Sequence, residues 1–235
     1  MLIKTLCLAA SQPAPAAADL IERMAVKALR EVPGLQQAQV NRVLRHVPTD
    51  YIENDRPYSG VVAQADGIDV SVDLHFADAT AARQAVESSA WATLMKDIQG
   101  VAGVLFALDS EPNVPVALRH GAVNGGFRRW LLLTRKAATR EDFRHAWFGR
   151  HASLVRNLPL LDGYVQNLVT ARYDAAGQPV AYESLPIDGI AEVCFADEAA
   201  MNTSYASDAR LPLKDDGREL AARVSTVLVQ GRVVR

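Results

Sequence analysis

The sequence predicts an α+β fold built from two ferredoxin-like βαββαβ repeats, packed sheet to sheet as a barrel-like pair within one chain. Three observations predict it. The chain has 235 residues, too many for one minimal domain and enough for two of about 100–130 residues. Phe76-Ala77-Asp78 recurs as Phe195-Ala196-Asp197, 119 positions on. Val32-Pro33-Gly34-Leu35 is echoed by Leu158-Pro159-Leu160-Leu161, 126 positions on, and the elements between follow the same order. The difference between the two offsets is expected to be a longer loop in the first copy, around Asn54-Asp55-Arg56-Pro57.

The elements follow in order. Ile3–Leu8 reads as a strand. Pro13 and Pro15 lead to a helix near Asp19–Glu31, and Ala38–Leu44 is the second strand. Over Ile68–Phe76 the residues Ile68, Val70, Val72, Leu74 and Phe76 alternate with Asp69, Ser71, Asp73 and His75, the period of a strand with two unlike faces. A helix from Asp78 to about Met95 and a strand near Val101–Leu108 close the first copy. Pro112, Pro115, Gly121, Gly125 and Gly126 mark Asp109–Gly126 as a linker, and the units divide as 1–118 and 119–235.

In the second copy Arg129–Thr134 is the first strand. Thr139 caps a helix with Phe143, Trp147, Leu154 and Leu158 at helical spacing, ended by Pro159 and Gly163. Tyr164–Val169 is a strand, Asp174–Gly177 a turn and Gly189–Phe195 a strand. Asp197 caps a short helix from Glu198, and Arg223–Val229 closes the unit. The 126-residue offset sets Leu6 on Leu132 and Ala25 on His151.

Composition excludes several classes. A net charge of −2 lacks the basic excess of a nucleic-acid binder, and no apolar run approaches the ~20 residues of a membrane helix. Cys7 and Cys194 have no metal-ligand spacing and read as small core residues of a reducing compartment. Lys4 interrupts the N-terminal apolar stretch, which favours a strand over a signal peptide and hence a cytoplasmic protein. No HExxH, GxSxG or GxGxxG is present, so no metal, nucleotide or serine-hydrolase site is expected. Arg128-Arg129, His46, His120 and His145 read as solvated groups.

Thr139-Arg-Glu-Asp-Phe143-Arg-His-Ala-Trp147-Phe-Gly-Arg-His151-Ala-Ser-Leu154-Val, then Leu158-Pro159 and Tyr164-Val-Gln-Asn167, resembles the EthD family of the dimeric α+β barrel superfamily. The run from Asp188 through Glu192 to Phe195-Ala-Asp197 resembles that family's third strand. The resemblance covers most of the second copy, and the first matches only in outline. It implies an intramolecular dimeric α+β barrel with a pocket, more firmly than it implies a reaction. Related barrels include cofactor-free cyclases, decarboxylases, dehydratases and isomerases, quinone-forming oxygenases and haem-binding enzymes, so the analogy does not choose among them.

The candidate catalytic residues are His151 and Glu192. His151 lies four residues after Trp147 and eight after Phe143, on one helical face, and imidazole exchanges protons at neutral pH. On the residues alone, a structural histidine capping the helix end competes with this role. Glu192 points away from the helix-packed face, where a carboxylate must be paired or protonated, and His151 is one candidate partner. Candidate substrate-binding residues are Phe143, Trp147, Tyr164, Gln166, Asp73 and His75, the last two matching Glu192 and Cys194 in the first copy. Tyr164 is a candidate donor to an oxyanion.

Together these features point to a cofactor-independent lyase or isomerase working by His-centred acid–base chemistry on a small hydrophobic or aromatic oxygenated molecule. The alternatives are a haem- or hydrophobic-ligand-binding accessory protein of an oxygenase system, and an inactive structural partner. No metal or organic cofactor is expected, with haem as the minor alternative, and neither nucleic acid nor membrane is an expected partner. A homodimer through exposed edge strands is an expected assembly.

Overall fold

The computed structural model describes residues 1–47, 52–53, 56–57, 60–119 and 124–234. Eight strands close into one antiparallel barrel: β1 (Leu2–Ala10), β2 (Leu35–Val47), β5 (Val70–Phe76), β6 (Ala102–Val116), β7 (Asn124–Arg135), β8 (Gly163–Tyr173), β9 (Gly189–Phe195) and β10 (Ala221–Val234). A two-residue ladder, β3 (Ile52–Glu53) with β4 (Arg56–Pro57), stands apart. The order around the barrel is β6-β1-β5-β2 and then β10-β7-β9-β8, so the two halves repeat one strand order. The halves are not simply stacked sheet on sheet. β2 pairs with β10 and β6 with β8, which joins the sheets edge to edge. This removes the exposed edges through which a homodimer was expected, because every strand of the barrel has two neighbours.

Helices cover the outside. α1 (Ala14–Glu31) starts with Pro15 in its first turn and buries Ala17, Ala18, Ile21, Ala25 and Ala28. The helix expected from Asp78 to Met95 is two: α2 (Ala79–Val86), capped by Asp78, and α3 (Ser89–Gln99), capped by Ser88. In the second half α4 (Arg140–Ala146) begins at the Thr139 cap and runs through a π-helical turn, Trp147–His151, into α5 (Ala152–Val155). α6 (Glu198–Tyr205) follows the Asp197 cap, and α7 (Arg210–Leu220), unforeseen in the sequence, packs beside the π turn. No described helix is long and apolar enough to cross a membrane.

The barrel wall is buried on both sides, which is why all seven residues of β9 are buried. Val70, Val72, Leu74 and Phe76 join the helices in one outer core, and Ala191, Val193 and Phe195 do so in the other. Inside the barrel Phe106, Leu108, Trp130, Leu132 and Ile190 form a third cluster. Each fully buried side chain of this size contributes roughly 1.5–3 kcal/mol over its exposed state.

Three sequence expectations change. Much of the supposed linker is strand, since β6 runs to Val116 and β7 takes in Gly125-Gly126; its Gly121, like His120, Asn54 and Asp55, lies outside the described residues. Leu6 corresponds to Leu131, not Leu132: Leu6 pairs with Val72 and Leu131 with Ala191, the matching third-strand residues. A one-residue slip reverses the face, and Leu132 points into the barrel while Leu6 points to the helices. Arg128, expected to be solvated, is fully buried, because alternation sets it on the interior face with Trp130 and Leu132.

Candidate functional site

The expected site residues fall into two places on opposite faces of one sheet. Ala191 and Val193 face the helices and line a cavity with His151, so Glu192 between them faces the barrel interior. His151 and Glu192 are therefore not brought together.

Inside the barrel Glu192 belongs to a buried polar network. Arg128 Nη1 donates to Glu192 Oε2 at 3.1 Å, and Asn167 donates to Glu192 Oε1 at 3.0 Å. Thr5 donates to Asp73 Oδ1 at 2.6 Å and Asn41 to Asp73 Oδ2 at 2.8 Å. Gln39 Nε2 stands 3.1 Å from Asp73, Glu192 and Asn41 alike, although its two protons serve only two acceptors at a time. All four carboxylate oxygens are engaged. Burial, and then the Glu192 charge, push the Asp73 carboxyl up to about 7. His75 is on the same inner face, and burial holds its imidazole below the usual range. Gly231 makes room for the network: a Cβ there would come within 2.5 Å of Arg128 Nη1 and Asn41 Oδ1.

The second place is a cavity of about 70 Å³ between the sheet of the second half and its helices. His151 enters it from the end of the π turn. Its Nδ1 is 2.8 Å from Asp216 Oδ2 on α7, and Arg150 Nε holds the other oxygen of Asp216 at 3.0 Å. The carboxylate fixes the ring and leaves Nε2 as the exchangeable nitrogen. Tyr164 and Arg129 line the same cavity. Burial pushes the Tyr164 phenol up, so it stays protonated. The Arg129 guanidinium lies over the Tyr205 ring at 4.8 Å, and its buried Nε has no acceptor among the described residues. A buried cationic donor without an acceptor is costly unless something else supplies one.

The π turn positions His151. Such single turns insert one residue into a helix and free a backbone carbonyl. Here Gln166 Nε2 donates to the Trp147 carbonyl at 2.7 Å and to the Tyr164 hydroxyl at 3.0 Å, and Asn113 of β6 holds Gln166 Oε1 at 2.7 Å. Gln166 thus orients Tyr164 and stays out of the cavity lining. Phe143 and Trp147, expected to touch substrate, are fully buried core residues, stacked at 5.1 Å between centroids. Trp147 lies against Gly189, where a Cβ would come within 2.5 Å of its ring.

Sequence reasoning missed Asp216, Arg129 and the helix that carries Asp216. The usable signal was Leu213, Gly217 and Leu220 at helical spacing after Pro212. A Pro near the start and a Gly within the segment masked it.

Residues 135–223 match the family model of the EthD domain. None of the curated proteins matches the chain. Among solved structures, a candidate monooxygenase from Lactobacillus acidophilus superposes with a TM-score of 0.60 at 11% identity, over 98% of this chain and 93% of that one. An anthrone oxidase-like protein gives 0.58 at 11% identity, over 99% and 93%. A chlorite dismutase variant from Candidatus Nitrospira defluvii, solved in complex with cyanide, gives 0.51 at 11% identity, over 98% and 90%. At these identities the likeness is one of fold.

The last neighbour corrects one expectation. The barrel superposes on that of a chlorite dismutase variant solved with cyanide, so the expected absence of a cofactor does not follow from the fold and is withdrawn. The site itself answers haem only in part. The donor chemistry is present in an imidazole backed by Asp216, but about 70 Å³ is far below the ~300–1,000 Å³ of ordinary ligand pockets and does not hold a macrocycle. The match to the EthD domain model falls within the second half of this α+β barrel, over residues 135–223.

Proposed function

We propose that the second half is the working half of a proton-transfer enzyme, of lyase or isomerase type, acting on a small apolar oxygenated molecule whose reactive end enters the cavity beside His151. One observation carries this reading: the His151–Asp216 pair shares a cavity with the buried, acceptor-free Nε of Arg129. His151 Nε2 takes a proton from carbon next to a carbonyl, and Asp216 stabilises the imidazolium that forms. Arg129 and Tyr164 supply hydrogen bonds to the oxyanion that develops as the proton leaves. The proton then returns to another atom of the same molecule, or stays with the enzyme while a leaving group departs. Leucine, valine and alanine walls exclude water and strengthen these interactions. The neighbours named for monooxygenase and oxidase chemistry make cyclic and aromatic ketones the compounds to try first.

The chain also reads as two ferredoxin-like units in tandem, divided at 118/119, with the same strand order in each supporting the division. Ala25, buried in the first outer core, stands where the second unit has His151, so the first unit carries no base at that place.

The test is hydrogen exchange at carbon. Proton NMR in D₂O would follow loss of the α-proton signal in a panel of small cyclic and aryl ketones. His151→Ala is expected to slow exchange by ~10²-fold or more at unchanged circular dichroism, and Asp216→Asn by a smaller factor. Exchange unaffected by His151→Ala would overturn the reading.

A further inference from the structure

The first half holds a larger cavity than the second, about 640 Å³, between β1, β6, the end of β8 and helices α2 and α3. That size falls within the ~300–1,000 Å³ of small-molecule sites. Its walls are apolar, with Leu6, Ala82, Trp91, Met95, Val104 and Ala107 among them. Its floor is charged. Lys4 Nζ is 2.5 Å from Asp109 Oδ1, and Tyr173 donates to Asp109 Oδ2 at 2.8 Å. The Lys4 ammonium also lies 4.1 Å from the centre of the Tyr173 ring.

Lys4 corresponds in register to Arg129 of the other half, since their partners Leu74 and Val193 match. Both halves thus place a cation on the helix-facing side of their first strand. A buried ion pair is no more stabilising than two well-packed apolar residues, so its presence on a cavity floor is not explained by stability. Asp109 is satisfied by Lys4 and Tyr173, whereas the ammonium has three protons and only one acceptor among the described residues. Burial and the Asp109 charge push the Tyr173 phenol up, so it keeps its proton. Arg83, exposed at the rim, adds a second cation, and the turn from Asp174 to Gly177 closes the far side.

We propose that this cavity is a second ligand site, taking an apolar carboxylic acid whose carboxylate meets Lys4 and Arg83 and whose aromatic or acyl body fills the space under Trp91 and Met95. The first unit has no base at the His151 position, so the acid is bound and not transformed there. The site draws on both halves, because Thr170, Ala171 and Tyr173 lie on the second-half strand β8 and Asp174 to Gly177 follow it. It does not depend on the proposed chemistry at His151.

Isothermal titration calorimetry of the full chain with 2-naphthoate and decanoate, against 2-naphthol and decan-1-ol, tests this. The acids are expected to bind at one site, and their neutral counterparts about tenfold or more weaker. Arg83→Gln should weaken the acids alone. Lys4→Met by itself leaves Asp109 buried without its cation, so the double variant Lys4→Met/Asp109→Leu keeps the floor apolar and packed; it should abolish the preference for acid. Ala82→Phe should fill the cavity and block all four probes, and His151→Ala should change nothing. Absence of binding, equal binding of acid and alcohol by the unaltered chain, or acid binding untouched by both the double variant and Ala82→Phe would each overturn the proposal.

Discussion

A carboxylate inside a barrel stays charged only if its surroundings supply as much as water did, and at Asp73 they do not. Hydrogen bonds from Thr5 and Asn41 and the charge of Arg128 favour the ionised form, but burial and the neighbouring Glu192 outweigh them and push the group up to about 7. Arg128 sits on Glu192, so the proton goes to Asp73. An acid whose pKa rises on folding holds its proton more tightly folded than unfolded. Its contribution is complete below the unfolded value, near ~4, and is lost as the pH climbs through about 7. His75, lowered by burial, acts in the opposite sense and costs stability as the pH falls below ~6.5. Asp73→Asn keeps the shape and removes only the first titration. In urea unfolding from pH 4 to 8, the stability of the parent relative to Asp73→Asn is expected to fall by roughly 2–4 kcal/mol between pH 4 and 7 and then level off. A constant difference across that range would show that Asp73 is ionised throughout. At the same scale Glu192 and Asp216 exchange the parts expected of them: Glu192 anchors Arg128 in the barrel, and Asp216 is the carboxylate on His151.

Among the elements, β10 shows how a strand can be shaped by one residue it lacks. Gly231 faces the Arg128 guanidinium, which cannot retreat without leaving Glu192. Gly231→Ala is expected to destabilise by ~2–4 kcal/mol, through overpacking and a loosened buried ion pair. Gly103→Ala, at an exposed position of β6, meets nothing within 4 Å, and by the same thermal melts should lie within about 0.5 kcal/mol of the parent. Such elements differ in how far the sequence reveals them. Alternation in Val70–Phe76 and Gly189–Phe195 is a local property, so those strands and their Asp78 and Asp197 caps were readable. The ends of β6 and β10 were not, because Pro112, Pro115 and Gly231 look like breaks until a neighbouring strand is known. The π turn was hidden for the same reason. Its freed carbonyl is satisfied by Gln166, and Trp147 is admitted by Gly189, both on other elements. His151 was therefore visible as a residue, while its partner Asp216 lay on a helix whose Pro, Gly and charges gave no periodic signal strong enough to read.

For the whole molecule the decisive contacts are the two seams, β2 with β10 and β6 with β8. They bury the free edges of both halves, and the interior cluster draws residues from both, from Phe106 and Leu108 to Trp130, Leu132 and Ile190. Neither half has a complete interior alone, so the full chain is expected to unfold in one transition whose midpoint agrees between far-ultraviolet circular dichroism and tryptophan fluorescence. The seams also say what a separated half would do. Residues 119–235 alone would leave β8 and β10 as bare edges and the Trp130 face open to water. In strand order β2 corresponds to β8 and β6 to β10, so each seam of the full chain is equivalent to β8 of one unit meeting β10 of another. Two copies of the half satisfy that pairing twice and close a barrel of the same order. The isolated half is therefore expected to run as a homodimer in size-exclusion chromatography with light scattering, with dilution dissociating and unfolding it together. A stable folded monomer would mean that the half closes its own edges, and that the shared interior is not what holds the chain together.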